Sequence, residues 1–264
     1  MNKILIFVTL TLLSCSSKKN PGKFNYRILG DGEPTIVIDV AMGETLLSWD
    51  TLQTKLGQIT TVVTYDRLGL GKSDSTNAPR TIENLSNDLN EFLGTNEIPR
   101  PYLFIGHSLG ASIIRKYQND HPENVLGMIL IDPVHEDQFD RLMAIKPKEE
   151  REKILKDREE FERTLANGER NEAVQYHQQR AAMRQVQFPK NIPITIIGSF
   201  QVGQGATDED RQIKKELFGQ WLAQAPQIKL IATTKSGHYI QDSEPELLLE
   251  EVKLMIEKLR NEKR

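Results

Sequence analysis

A serine framed by glycines, Gly106-His107-Ser108-Leu109-Gly110, is the stretch of this chain whose residue types could break an acyl bond. A serine hydroxyl is a weak nucleophile at neutral pH and needs a base within hydrogen-bond reach. An imidazole can take that proton and return it to a leaving group. A carboxylate beside the imidazole can fix its tautomer and steady the imidazolium. The chain has five histidines, one of them in a late Ser236-Gly237-His238, and Asp132 and Asp208 lie between that segment and the serine. By composition alone, G-x-S-x-G arises in about one chain of this length in ten, so the pentapeptide needs support from its surroundings. The apolar run 101–105 precedes it, and 111–117 follows with helical spacing. Strand, sharp turn and helix would hold the serine in a strained backbone conformation, with the glycines letting strand and helix pass closely. The helix N-terminus behind it would favour developing negative charge.

The elements that must position these groups are legible as periodicity. Residues 35–40, 61–65, 127–131, 192–198 and 228–234 are nearly continuous apolar runs, the pattern of strands buried on both faces. Residues 24–29 alternate weakly and read as an edge strand, and Lys229 marks the last strand as an edge too. Helical spacing covers 46–56, 81–92, 208–225 and 245–259, with Thr81 as an N-cap before the stripe Ile82, Leu85, Leu89 and Phe92. Strands alternating with helices imply parallel βαβ units. The pattern breaks at 136–190, which holds no strand and is dense in charge. Glu149/Lys153, Glu152/Lys156 and Glu159/Arg163 are spaced as i,i+4 pairs. Ile154, Phe161 and Leu165 form a narrow apolar stripe, and 173–188 reads as a second helical piece. The expectation is a helical cap over the strand ends; a solvated hairpin with no part in the site is the alternative.

With 264 residues, the chain has room for one large α/β domain or two small ones, and its net charge of −3 is close to neutral. No basic stripe points to nucleic acid. No phosphate-binding or dinucleotide fingerprint appears, and no Cys/His cluster has metal-ligand spacing, so neither cofactor nor metal is expected. The N-terminus is different in kind. Lys3 and the apolar run 4–13, too short to span a bilayer, end at Leu12-Leu13-Ser14-Cys15. This resembles a bacterial lipoprotein processing site, which implies a signal peptide over 1–14. It also implies a lipidated Cys15 opening a polar tether over 15–23 and a domain held at a membrane in the cell envelope, outside the cytoplasm. As the single cysteine, Cys15 has no partner for a disulfide within the chain.

Over residues 24–259 the chain resembles the α/β-hydrolases. The resemblance rests on the loop after Ile36-Val37-Ile38, on Asp66-Arg67-Leu68-Gly69-Leu70-Gly71-Lys72-Ser73, on the Gly106–Gly110 turn and on Ser236-Gly237-His238. It implies an α/β-hydrolase core over 24–135 and 191–264, a mostly parallel sheet flanked by helices, with 136–190 as an inserted helical cap. It also implies the chain order Ser108, acid, His238. The oxyanion donors it implies are the backbone N–H of Leu109 and a second N–H after Ile38, on Ala41 with Met42 as the alternative. Where many relatives have His-Gly, this chain has Asp39-Val40. The aspartate either pairs with Arg67 or merely braces the turn. For the acid, the commonest position in the family, after 194–198, holds no carboxylate before Asp208. Asp208 and Asp210 look like a helix start. Asp132 ends a buried strand just before Pro133, where a minority of relatives carry their acid, and is the first choice over Asp208. A serine nucleophile differs from the aspartate of dehalogenase and epoxide-hydrolase relatives. Hydrolysis of a small-molecule acyl substrate, a carboxylic ester first, is therefore expected; a non-catalytic small-molecule or lipid binding protein on the same fold is the alternative.

Overall fold

The computed structural model describes residues 22–203 and 207–262; Cys15 and the expected signal peptide lie outside the described residues. The apolar runs become strands β1 (Tyr26–Leu29), β2 (Thr35–Asp39), β3 (Val62–Tyr65), β4 (Tyr102–His107), β5 (Val125–Ile131), β6 (Ile194–Ser199) and β7 (Ile228–Thr233). They form one seven-stranded sheet of order β1-β3-β2-β4-β5-β6-β7. Only β1 runs antiparallel, against β3; the other pairings are parallel. Strands β2, β3, β4 and β6 are buried along their whole length, and β5 nearly so. Both faces are covered, so alternation is lost and the runs stay apolar throughout. Edge strand β7 is only partly buried. Its Lys229 lies 2.7 Å from Glu251 Oε2, a charge that blunts the open edge.

The described helices are α1 (Asp50–Leu56), α2 (Ile82–Thr95), α3 (Leu109–Asp120), α4 (Gln138–Ala144), α5 (Lys148–Thr164), α6 (Asn167–Met183), α7 (Asp208–Gln224), the single turn α8 (Ile240–Ser243) and α9 (Pro245–Glu262). A 3₁₀ turn, Leu46–Trp49, precedes α1, so the stretch read as one helix is two pieces. Thr81 caps α2 by accepting from the Asn84 N–H at 3.2 Å. Phe92, Phe104, Tyr117, Phe218 and Trp221 build the core on one face of the sheet. Trp49, Leu52, Val252 and Ile256 build it on the other. Among the described residues no helix is long and apolar enough to cross a membrane.

Helices α4, α5 and α6 occupy the segment without strands, and they differ sharply. No residue of α5 is buried, and Phe161 on its expected apolar stripe is 57% exposed. Of the expected ion pairs, Glu159 with Arg163 forms, at 2.5 Å. Lys148 instead faces Glu152 and Lys156 faces Glu160. Solvated pairs of this kind differ little in energy, so spacing alone does not select among them. Helix α6 begins six residues before the expected 173 and buries Glu172, Ala173, Gln179, Arg180 and Met183. Its first turn seats on the loop after β3. A Cβ at Gly168 would stand 1.8 Å from the Gly69 carbonyl oxygen.

Candidate active site

Parallel strands bring their C-terminal ends to one edge of the sheet, and Ser108, Asp132 and the His238 loop follow β4, β5 and β7 at that edge. Ser108 has φ 53° and ψ −111°, a conformation sparsely populated by residues with a side chain. Its N–H donates to the Ile131 carbonyl at 3.0 Å, tying the turn to the end of β5. The flanking glycines are steric necessities. A Cβ on Gly106 would lie 2.7 Å from the Ala111 backbone nitrogen, and one on Gly110 would lie 2.1 Å from the Asp39 carbonyl oxygen. The second contact presses the start of α3 against the loop after β2.

His238 Nδ1 lies 2.7 Å from Asp132 Oδ2. An ionised carboxylate only accepts, so this bond assigns the proton to Nδ1 and leaves the Nε2 lone pair available. Asp132 also has positive φ, 39°; among the described residues only Glu97 and Ser108 share this feature without being glycine. Its Oδ1 accepts from the Ser199 N–H at 2.8 Å and from Lys214 Nζ at 2.5 Å. Burial alone would raise the Asp132 carboxyl, but the His238 hydrogen bond and the Lys214 ammonium more than offset it and hold it below its ordinary range. Asp208 stands elsewhere. It is exposed in the first turn of α7 and pairs with Arg211 at 2.5 Å, while Asp210 completes a capping box with Thr207. The histidine loop is pinned from below. Ser236 Oγ and Thr233 Oγ1 both donate to Glu244 Oε2 at 2.5 Å, and Ser199 Oγ donates to the Ser236 carbonyl at 2.6 Å. His107 turns its ring behind the serine, with Nε2 at 2.9 Å from the His238 carbonyl.

The oxyanion side carries contacts that the sequence did not signal. Leu109 opens α3, so its N–H is among those a helix leaves without an internal acceptor. The Ala41 N–H, by contrast, donates to Glu44 Oε2 at 3.0 Å. The Met42 N–H has no acceptor among the described residues. Asp39 is fully buried and does pair with Arg67, at 2.7 Å, while Tyr65 donates its hydroxyl to the other carboxylate oxygen at 2.6 Å. Burial pushes the Asp39 carboxyl up, against the pull of Arg67. Arg67 also holds Glu172 of α6, and both are buried.

A cleft of about 380 Å³ borders the His238–Asp132 pair, walled by Ser199, Phe200, Lys214 and Tyr239 among others; Ser108 is not part of that wall. Sequence reasoning missed Lys214, Glu244 and Glu172. The first and last lie in charge-rich helical segments most of whose other charges are wholly or partly in solvent, so composition hid them. Glu244, immediately before the α9 proline, carried a positional signal only as a helix start.

A family model of the alpha/beta hydrolase fold matches residues 34–245. The chain is 24% identical to an AB hydrolase superfamily protein of Gibberella zeae, over 86% of this chain and 88% of the relative. It spans between 30% and 41% of the length of several other curated relatives that it matches. Among solved structures it is similar to an esterase from Thermogutta terrifontis, with a TM-score of 0.64 and 14% identity over 90% of this chain and 94% of that one. It is also similar to the epoxide hydrolase CorEH, with a TM-score of 0.67 and 14% identity over 91% and 96% of the two chains. At these identities the likeness to both is one of fold.

Proposed function

The chain belongs to the α/β-hydrolase fold family, and on that premise we propose that it is a serine hydrolase cleaving carboxylic esters through Ser108, His238 and Asp132. One observation carries the reading: a serine held at positive φ at the same sheet edge as a histidine whose Nδ1 is bound to a buried carboxylate. In the proposed reaction, Ser108 Oγ attacks the ester carbonyl carbon as its proton passes to His238 Nε2. The negative charge on the carbonyl oxygen is met by the Leu109 N–H and the positive end of α3. Collapse of the tetrahedral species expels the alkoxide, which takes the proton from His238, and leaves an acyl-serine. Water then repeats the sequence, deprotonated by His238, releasing the acid and restoring the serine. Family members with an epoxide substrate share the fold, but the hydroxyl of Ser108 supports acyl chemistry.

The test is turnover of a short p-nitrophenyl ester, with fluorophosphonate labelling mapped to Ser108. Both are expected in the parent and lost in Ser108→Ala. A parent inert to both, or a Ser108→Ala variant that keeps them, refutes the proposal. A second reading, a non-catalytic small-molecule binding protein, draws on the Ala41 N–H being taken by Glu44 and on the absence of a hydrogen bond from Ser108 Oγ to His238 among the described residues. It predicts a well-folded parent that neither turns over esters nor takes the label. Catalytic hydrogen bonds are often loose before substrate arrives, which favours the enzyme. We also propose that a lipid on Cys15 holds this domain at a membrane.

A further inference from the structure

The guanidinium of Arg67 spends all five of its N–H donors inside the protein. Nε donates to Glu172 Oε1 at 2.7 Å, and Nη2 to Glu172 Oε2 at 2.8 Å. Nη1 donates to Asp39 Oδ1 at 2.7 Å and to the Val40 carbonyl at 2.8 Å; the second Nη2 bond goes to the Ala41 carbonyl at 2.8 Å. Glu172 reaches further and accepts the Gly43 N–H on Oε2 at 3.0 Å. Arg67, Asp39 and Glu172 are each at most 2% exposed in their side chains.

The two carbonyls that Arg67 holds belong to the peptides whose N–H groups are those of Ala41 and Met42. A trans peptide is planar, with its C=O and N–H pointing in opposite directions. Fixing the Val40 and Ala41 oxygens on Arg67 therefore aims the Ala41 and Met42 N–H groups away from it. One of them, Ala41 or Met42, is expected to supply the second donor of an oxyanion site with Leu109; the Ala41 N–H is engaged by Glu44 Oε2, whereas the Met42 N–H has no acceptor among the described residues. Arg67 in turn has no freedom, because Glu172 grips it by a two-point fork that only a planar guanidinium matches. Glu172 comes from α6, more than 100 residues along the chain. The same helix touches the neighbouring backbone twice more. Gly168 sits against Gly69, and a Cβ at Gly43 would meet the Glu169 side chain at 3.3 Å.

We propose that Glu172 is a positioning residue of the oxyanion site: through Arg67 and the Gly43 N–H it holds the loop 40–43, so that docking of α6 and assembly of the site are one event. This rests on the serine-hydrolase reading above. It makes the inserted helices part of the catalytic assembly, with α6 as the member that carries the connection and α5 as a solvated arm.

Glu172→Gln tests it with little disturbance of shape. Two carboxylates share one guanidinium here, so the amide leaves a charge-balanced cluster, not an unpaired buried charge. It does place an NH₂ where a carboxylate oxygen accepted from Arg67 or Gly43. Loosening of the donors predicts a kcat on the p-nitrophenyl ester lower by about 10- to 100-fold, with KM within about twofold. Inhibition by an alkyl boronic acid, which forms a tetrahedral adduct on the serine, weakens by the same factor. Amide exchange at Ala41, whose own acceptor is Glu44, quickens. Val174→Ser, an exposed change on the same helix, leaves all three readings at the parent's values. A folded Glu172→Gln with unchanged kcat and boronic-acid inhibition, or with a raised KM alone, overturns the proposal. If Glu172→Gln does not fold, Glu172→Asp, which keeps the charge but withdraws it by one methylene, is read by the same measures. If the parent shows no turnover and takes no fluorophosphonate, the serine-hydrolase reading fails instead. Ala41 exchange then still decides the tie: unchanged rates in the variant overturn it, and faster rates uphold it.

Discussion

One carboxylate gathers three donors at the end of β5: His238 Nδ1, the Ser199 N–H and Lys214 Nζ all converge on Asp132. Replacing it by asparagine keeps its size but offers His238 an amide, which does not fix the imidazole tautomer. Asp132→Asn is therefore expected to lose up to about ten-thousandfold in kcat, the scale known for the equivalent change in a serine protease. Asp208→Asn should stay within about twofold, since that side chain serves only the start of α7. Steady-state kinetics on a p-nitrophenyl ester compares the two, and a crippled Asp208→Asn beside a normal Asp132→Asn reverses the assignment. The lowered Asp132 carboxyl also has a sign in stability. Its folded value lies below the ordinary 3.8. The stability it contributes is thus fully present above that value and disappears as pH falls through the lowered one. Lys214→Met removes one cause of the lowering and one of the three donors. Urea denaturation should show it about 1–3 kcal/mol less stable than the parent near neutral pH, the gap closing only as pH falls through the lowered Asp132 value of the parent.

At the scale of elements, the meeting of β4, α3 and the loop after β2 is set by how closely backbones approach. A methyl on Gly110 would overlap the Asp39 carbonyl, so the start of α3 would have to retreat from the loop it faces. Gly110→Ala is expected to cost about 3 kcal/mol in folding stability and at least about a hundredfold in activity, read by thermal melts and kinetics together. A variant with parental values for both would show that the helix start has room to spare. Helix α5 predicts the opposite outcome. Phe161 is 57% exposed, so Phe161→Ser should change stability by no more than about 0.5 kcal/mol and leave kcat alone. A large loss there would mean that the apolar stripe of α5 is covered in solution.

The described residues are built on one sheet, and the proposed catalytic groups lie at one edge of it, on chain segments that follow β4, β5 and β7. The proposed lipid on Cys15 would present that unit at a membrane through a short polar tether. Several acyl chains hold a protein firmly, whereas one holds it only marginally. Cys15→Ala is accordingly expected to move the protein from the membrane fraction to the soluble one. A variant that sediments with membranes as the parent does removes the anchor from the account.

The buried strands, the turn around Ser108 and the cap of α2 were legible in the sequence because each is encoded locally. An apolar run marks a strand covered on both faces, G-x-S-x-G marks a close pass of strand and helix, and Thr81 serves a helix N–H three residues on. The pairing of Asp39 with Arg67 was one of two readings that the sequence left open, and the structure contains the pair. The tertiary structure decided the rest. It set Asp132 beside His238 across 106 residues, turned Glu44 onto the Ala41 N–H, buried Glu172 against Arg67 and drew Lys214 onto Asp132. Local patterns report which face of an element is covered. Which charged side chain meets which acceptor depends on how elements distant in sequence dock, and no spacing within a single segment encodes that.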